Sequence, residues 1–109
     1  MTYQVILAEQ AARELEGAAR WWAENRSAEQ AERWYAGFVA AIESLQVAPD
    51  RHPYACEEKR FAFGLRQLNF GLGPHATHRA VFTRRGNIVT VLAIRHFAQQ
   101  ELSLHDIQP

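Results

Sequence analysis

The sequence predicts an α+β fold in the order β-α-α-β-β-β, with a helical hairpin packed on one face of a small, mainly antiparallel sheet. Three observations carry this expectation. Residues 9–45 place apolar side chains at helical spacing in two stretches, broken at Asn25-Arg26. Thr77 to Phe97 (THRAVFTRRGNIVTVLAIRHF) reads as two strands around Arg85-Gly86-Asn87, where Gly and Asn tolerate the positive φ of a tight turn. Tyr3 to Leu7 (YQVIL) is a short β-branched and aromatic run ahead of the helices.

Each element follows from its local pattern. From Glu9 to about Glu24, Ala11, Leu15, Ala18 and Trp22 recur on one helical face, with Arg13, Glu14, Glu16 and Arg20 around them. Gly17 within this helix sacrifices about 1 kcal/mol against Ala and leaves room for close packing at that point. Ser27-Ala28-Glu29-Gln30 matches a capping box, in which the Ser27 hydroxyl accepts from the Gln30 amide. Ala31, Trp34, Phe38, Ile42 and Leu45 then mark the second helix, which Pro49 ends. Two prolines and mixed charge make Pro49 to Arg60 a loop. Phe61 to Leu72 reads as the next strand, with Arg66, Leu68, Phe70 and Leu72 alternating against Leu65, Gln67, Asn69 and Gly71. Gly71 to Pro74 turns the chain into the final hairpin.

Three consecutive strands favour an antiparallel meander, with the first strand at an edge or beside the last strand. In the last strand, Ile88, Thr90, Leu92 and Ile94 are expected on one face and Val89, Val91 and Ala93 on the other. Both sets are mostly apolar, so both faces need cover. The helices cover one. The other requires the C-terminal tail, residues 98–109, a second copy in a homodimer, or a partner's segment.

Length and composition bound the function. The 109 residues suit a single domain, 1–109, able to bury a core without staples. Formal net charge is zero, but residues 1–50 hold four bases against eight acids, and residues 51–109 eight against four. Of the twelve bases eleven are Arg, which suits bidentate contact with carboxylate or phosphate. Cys56 is the only cysteine, so no internal disulfide forms and a reducing, cytoplasmic setting is expected. No run approaches the roughly 20 apolar residues of a membrane span. His75 and His78 stand three apart with no acid or Cys cluster to complete a metal site, so neither metal nor cofactor is expected.

The order of elements resembles the RelE/ParE superfamily of toxins from type II toxin–antitoxin systems. The resemblance spans about residues 3 to 98. It is carried by VILAEQAARELEGAARWW, by Ala48-Pro49 closing the second helix, by LRQLNFG at Leu65 to Gly71, by HRAVFT at His78 to Thr83 and by VTVLAIRHF at Val89 to Phe97. It is most like the ParE or plasmid-stabilisation branch. That branch implies a protein acting by binding its target, DNA gyrase, and neutralised by a cognate antitoxin. The RelE branch implies a ribosome-dependent mRNA endoribonuclease, and loss of toxicity would leave a binding module of the same fold.

Metal-free RNA cleavage needs a base for the 2′-hydroxyl, cations for the developing charge and an acid for the leaving oxygen. Under the nuclease alternative the candidates are Arg66, Arg79, Arg95 and His96. Some nucleases of the superfamily follow the corresponding histidine with a tyrosine, where this chain has Phe97, which transfers no proton. Neutral overall charge also suits ribosome binding poorly. Under the binding reading, the candidates for target or antitoxin contact are Val89, Val91, Arg95, His96 and Phe97.

Overall fold

A computed structural model describes residues 2–61, 63–99 and 102. The first strand, β1 (Gln4–Leu7), leads into helices α1 (Glu9–Asn25) and α2 (Ala28–Glu43). Three strands follow: β2 (Arg66–Phe70), β3 (His78–Arg85) and β4 (Ile88–His96). The sheet order is β1-β4-β3-β2. The last three strands form the expected meander, and β1 runs parallel beside β4, with Leu7 opposite Val91. The parallel pair is possible because the whole α-hairpin serves as the crossover.

The helices form where the apolar periodicity placed them. Ala11 and Leu15 of α1 and Trp34, Phe38 and Ile42 of α2 are buried against the sheet, and Ala31 of α2 is buried as well. The Ser27 hydroxyl accepts from the Gln30 amide at 3.0 Å, as the capping motif requires. Gly17 makes no use of that room, because a Cβ there would meet nothing within 4 Å. The close approach lies instead at Gly37 of α2, where a Cβ would stand 2.8 Å from the Phe70 ring.

Two expectations for the sheet change. β2 covers only Arg66–Phe70, not Phe61 to Leu72. Phe61 and Leu65 instead leave the strand and fold under the sheet. The preceding stretch contains short 3₁₀ turns at Pro49–Arg51 and Glu58–Arg60.

The alternation along β4 is also interrupted. Val81 lies opposite Ala93 and Phe82 opposite Val91, which leaves Leu92 as an extra residue in a bulge. Beyond it the faces exchange. Val89, Val91 and Ile94 therefore share the helix-side core with Phe82 and Leu68. Ala93 and Leu92 join Val81 in a second cluster with Ala55, Phe61, Leu65 and Leu102. The second face is thus covered partly by the segment after α2 and by Leu102 of the tail.

Candidate functional site

The register separates the candidate residues. His78 pairs with His96, and Arg79 with Arg95. Since side chains alternate along a strand, the histidines share the helix-side face and the arginines the opposite one. Arg66 lies opposite Phe82, toward the other end of β3. Arg79 and Arg95 are neighbours, but Arg66, Arg79, Arg95 and His96 do not form one cluster. Val89 and Val91 are 0% exposed and packed under the helices, so neither reaches the surface. His96 and Phe97 are exposed and Arg95 is half-buried, where β4 ends.

A groove of about 580 Å³ opens at that end, lined by Glu14, Trp21, Trp22, His78, Ile94 and His96 among others. It exists because β1 is short. β1 ends at Leu7, the Ala8 amide donates to the Val91 carbonyl at 2.9 Å, and β4 continues to His96. Side chains occupy the amides of β4 beyond that point. The Ile94 amide donates to Glu14 Oε1 at 2.9 Å, and the His96 amide to Gln99 Oε1 at 2.7 Å. These contacts spare the strand edge from leaving polar groups unsatisfied.

Aromatic rings connect the groove to the core. Trp34 is fully buried and meets the His78 ring edge-on, with centroids 4.9 Å apart. His78 meets His96 in the same manner, also at 4.9 Å. Trp22 stacks on Trp34, and Trp21 stands edge-on to Trp22 at 5.8 Å while remaining 51% exposed. Trp22 Nε1 is buried without a hydrogen-bond partner among the described residues. Burial, and secondarily the neighbouring His96, lower the His78 pKa to about 4. His78 therefore stays neutral at physiological pH. His96 Nδ1 accepts from the Ala98 amide at 2.9 Å, which assigns the ring proton of its neutral form to Nε2.

On the opposite face, Glu57 is 0% exposed and grips Arg79. Arg79 Nη1 donates to Glu57 Oε1 at 2.8 Å and Nη2 to Oε2, a bidentate pair. The Leu102 amide donates to Glu57 Oε2 at 2.8 Å, and Cys56 Sγ to Oε1 at 3.2 Å. Burial alone would raise the Glu57 pKa, but the Arg79, Leu102 and Cys56 hydrogen bonds outweigh it and hold the carboxyl at about 2. Arg79 is thereby engaged as a structural cation.

A third polar cluster lies where β2 begins. Arg84 Nε donates to Asp50 Oδ1 at 2.8 Å, and Arg66 Nε stands 3.9 Å from the same oxygen. The Arg66 guanidinium lies over the Tyr54 ring at 4.1 Å, and its Nη1 donates to the His52 carbonyl at 2.6 Å.

Sequence reasoning missed Glu57, Asp50, Tyr54 and Glu14. Each meets its partner far along the chain, and Cys56-Glu57-Glu58-Lys59-Arg60 reads as a solvated charge run. Trp21 was detectable: successive helical residues point about 100° apart, so Trp21 and Trp22 do not both face the core.

Known proteins place this geometry in context. The solved chromosomal ParDE TA system from P. aeruginosa contains a chain similar in fold, with a TM-score of 0.70 at 18% identity, covering 87% of this chain and 96% of that one. No curated protein sequence matches the chain. The model of the ParE toxin of type II toxin-antitoxin system, parDE, matches residues 5–101. Since that match spans the helical hairpin, the meander and all but the first residue of β1, the chain belongs to the ParE toxin family.

Proposed function

We propose that this toxin acts by binding its target, DNA gyrase, and that a cognate antitoxin neutralises it by lying in the groove between α1 and the end of β4. The observation that carries the antitoxin reading is the β4 edge. Beyond Leu7 its Ile94 and His96 amides are held by two side chains, Glu14 and Gln99, rather than by a strand. An extended peptide can replace such side chains with backbone pairing, while exposed rings supply apolar contact. Trp21, 51% exposed, lines the groove beside this edge. Of the binding candidates, His96 lines this groove and Phe97 follows it at the end of β4, whereas Arg95 lies on the opposite face and Val89 and Val91 lie in the core.

Family membership supports the gyrase reading. So does the dispersal of Arg66, Arg79, Arg95 and His96 over both faces of the sheet, which gives general acid–base chemistry no shared centre.

Two experiments test the proposal. Co-expression with the small protein encoded beside the toxin should yield a complex in which the Ile94 and His96 amides exchange more slowly than in the toxin alone. Unchanged exchange at both would reject the groove. Separately, induction of the toxin should arrest DNA synthesis before translation. Earlier arrest of translation with cleaved mRNA would establish the nuclease alternative, and normal growth the non-toxic binding module.

A further inference from the structure

The cluster around Arg66 lies at the opposite end of β3 from the groove, and its composition is unbalanced. A pocket of about 170 Å³ is lined by Asp50, Tyr54, Arg66, Phe82, Thr83 and Arg84, with Gly64 at its rim. Two guanidiniums enter it against one carboxylate. Arg84 is oriented by Asp50 and by the Gly86 carbonyl, which accepts from Nη1 at 2.9 Å. Arg66 is oriented by the Tyr54 ring beneath it and by the His52 carbonyl. The single hydrogen bond of its guanidinium among the described residues is the one to His52, and Asp50 lies beyond hydrogen-bond reach of its Nε at 3.9 Å. The Arg66 fork is therefore held in place with donors unused.

We propose that this pocket binds the carboxylate of an acidic side chain, Glu or Asp, presented by a partner polypeptide. Asp50 already demonstrates the chemistry, since its carboxylate sits between the two arginines. A planar carboxylate matches a guanidinium fork through two parallel N–H···O bonds. Charge selects the ligand further. Two guanidiniums and one aspartate leave a single positive charge, which a monoanion neutralises, whereas a phosphate dianion would face Asp50 at close range. Fixing both arginines beforehand lowers the ordering entropy lost on binding. Tyr54, 61% exposed, offers an apolar wall for the methylene groups of the incoming side chain. Asp50 itself is 48% exposed and acts as an internal competitor.

The site stands apart from the groove, and its test does not depend on toxicity or on the identity of the target. The test is NMR titration of the purified, ¹⁵N-labelled chain, following the arginine Nε–H resonances. The probes are an acetylated, amidated Glu-containing peptide, its Gln counterpart and inorganic phosphate. The Glu peptide should give saturable shifts at Arg66 and Arg84, at least tenfold stronger in affinity than the Gln peptide or phosphate. Arg66→Gln should abolish the response, and Arg66→Lys, which keeps the charge without the fork, should retain a weakened one. Asp50→Asn, which removes the competitor, should tighten binding severalfold. Equal binding of the Glu and Gln peptides would overturn the proposal, as would a preference for phosphate, which would assign the pocket to phosphate or nucleic acid. Full retention of binding by Arg66→Gln, or weaker binding by Asp50→Asn, would also overturn it. Backbone amide spectra unchanged away from the pocket confirm that each variant is folded.

Discussion

Glu57 and Arg79 show how a single residue changes meaning between sequence and structure. Arg79 on a strand reads as a candidate for binding or catalysis, but its guanidinium is 94% shielded and its partner carboxylate fully so. A buried ion pair adds little net stability when complete, yet removing one member leaves an uncompensated charge. Arg79→Ala should therefore destabilise the fold by about 3 to 5 kcal/mol in urea unfolding. Glu57→Leu in the same background should recover much of that loss, because no charge then remains buried. Acid should act most strongly through the two groups with the largest shifts, His78 and Glu57. His78 has its pKa lowered to about 4 in the folded chain from an ordinary 6.5, so the unfolded chain alone takes up that proton as pH falls through this range. Stability then declines from pH 6.5 toward 4. Glu57, held at about 2 against 4.5, resists protonation that the unfolded chain accepts, so a second loss runs from pH 4.5 toward 2. Thermal unfolding of His78→Phe, which keeps a ring against Trp34, should show a smaller upper decline, what is left coming from His52, whose pKa burial also lowers, and should retain the lower one.

At the scale of elements, periodicity was a sound guide wherever one face of an element was buried by another. The stripe Ala31, Trp34, Phe38 and Ile42 defined α2 by its helical spacing, and the Ser27 cap fixed where it starts. The strands were legible as strands, but their faces were not, since the Leu92 bulge responds to pairing across the sheet rather than to any local pattern. Glycine was similarly opaque, because a sequence gives its cost and not its neighbours. Gly17 borders open space, so Gly17→Ala should stabilise α1 by about 1 kcal/mol. Gly37→Ala gains the same helix propensity, but its methyl meets Phe70, which is stacked on Phe38 with centroids 5.0 Å apart and has little freedom to withdraw. Overpacking of this kind costs about 1 to 3 kcal/mol, so a net loss is expected. Measured melting temperatures should rank Gly17→Ala above the parent and Gly37→Ala below it; the reverse order would mean that the helices pack differently.

Across the whole molecule, the mismatch between a four-residue β1 and a nine-residue β4 creates the groove. Neither strand length is unusual alone, and only their parallel pairing shows that the later part of β4 lacks a strand neighbour on that side. This is why the sequence located Arg95, His96 and Phe97 but not the opposing wall of Glu14, Trp21 and Trp22. The wall also separates stability from binding. Trp22 and Trp34 stack within the hairpin, whereas Trp21 projects from it with half its surface exposed. Removing an exposed ring should change unfolding free energy by less than about 0.5 kcal/mol. Removing an aromatic anchor from a binding surface typically weakens a complex by about 2 kcal/mol or more. Trp21→Ala should therefore leave the melting temperature of the toxin close to that of the parent and weaken antitoxin capture at least tenfold in a competition assay. Equal losses of stability and capture would make Trp21 a packing residue, and unchanged capture would place the antitoxin on another face of the fold.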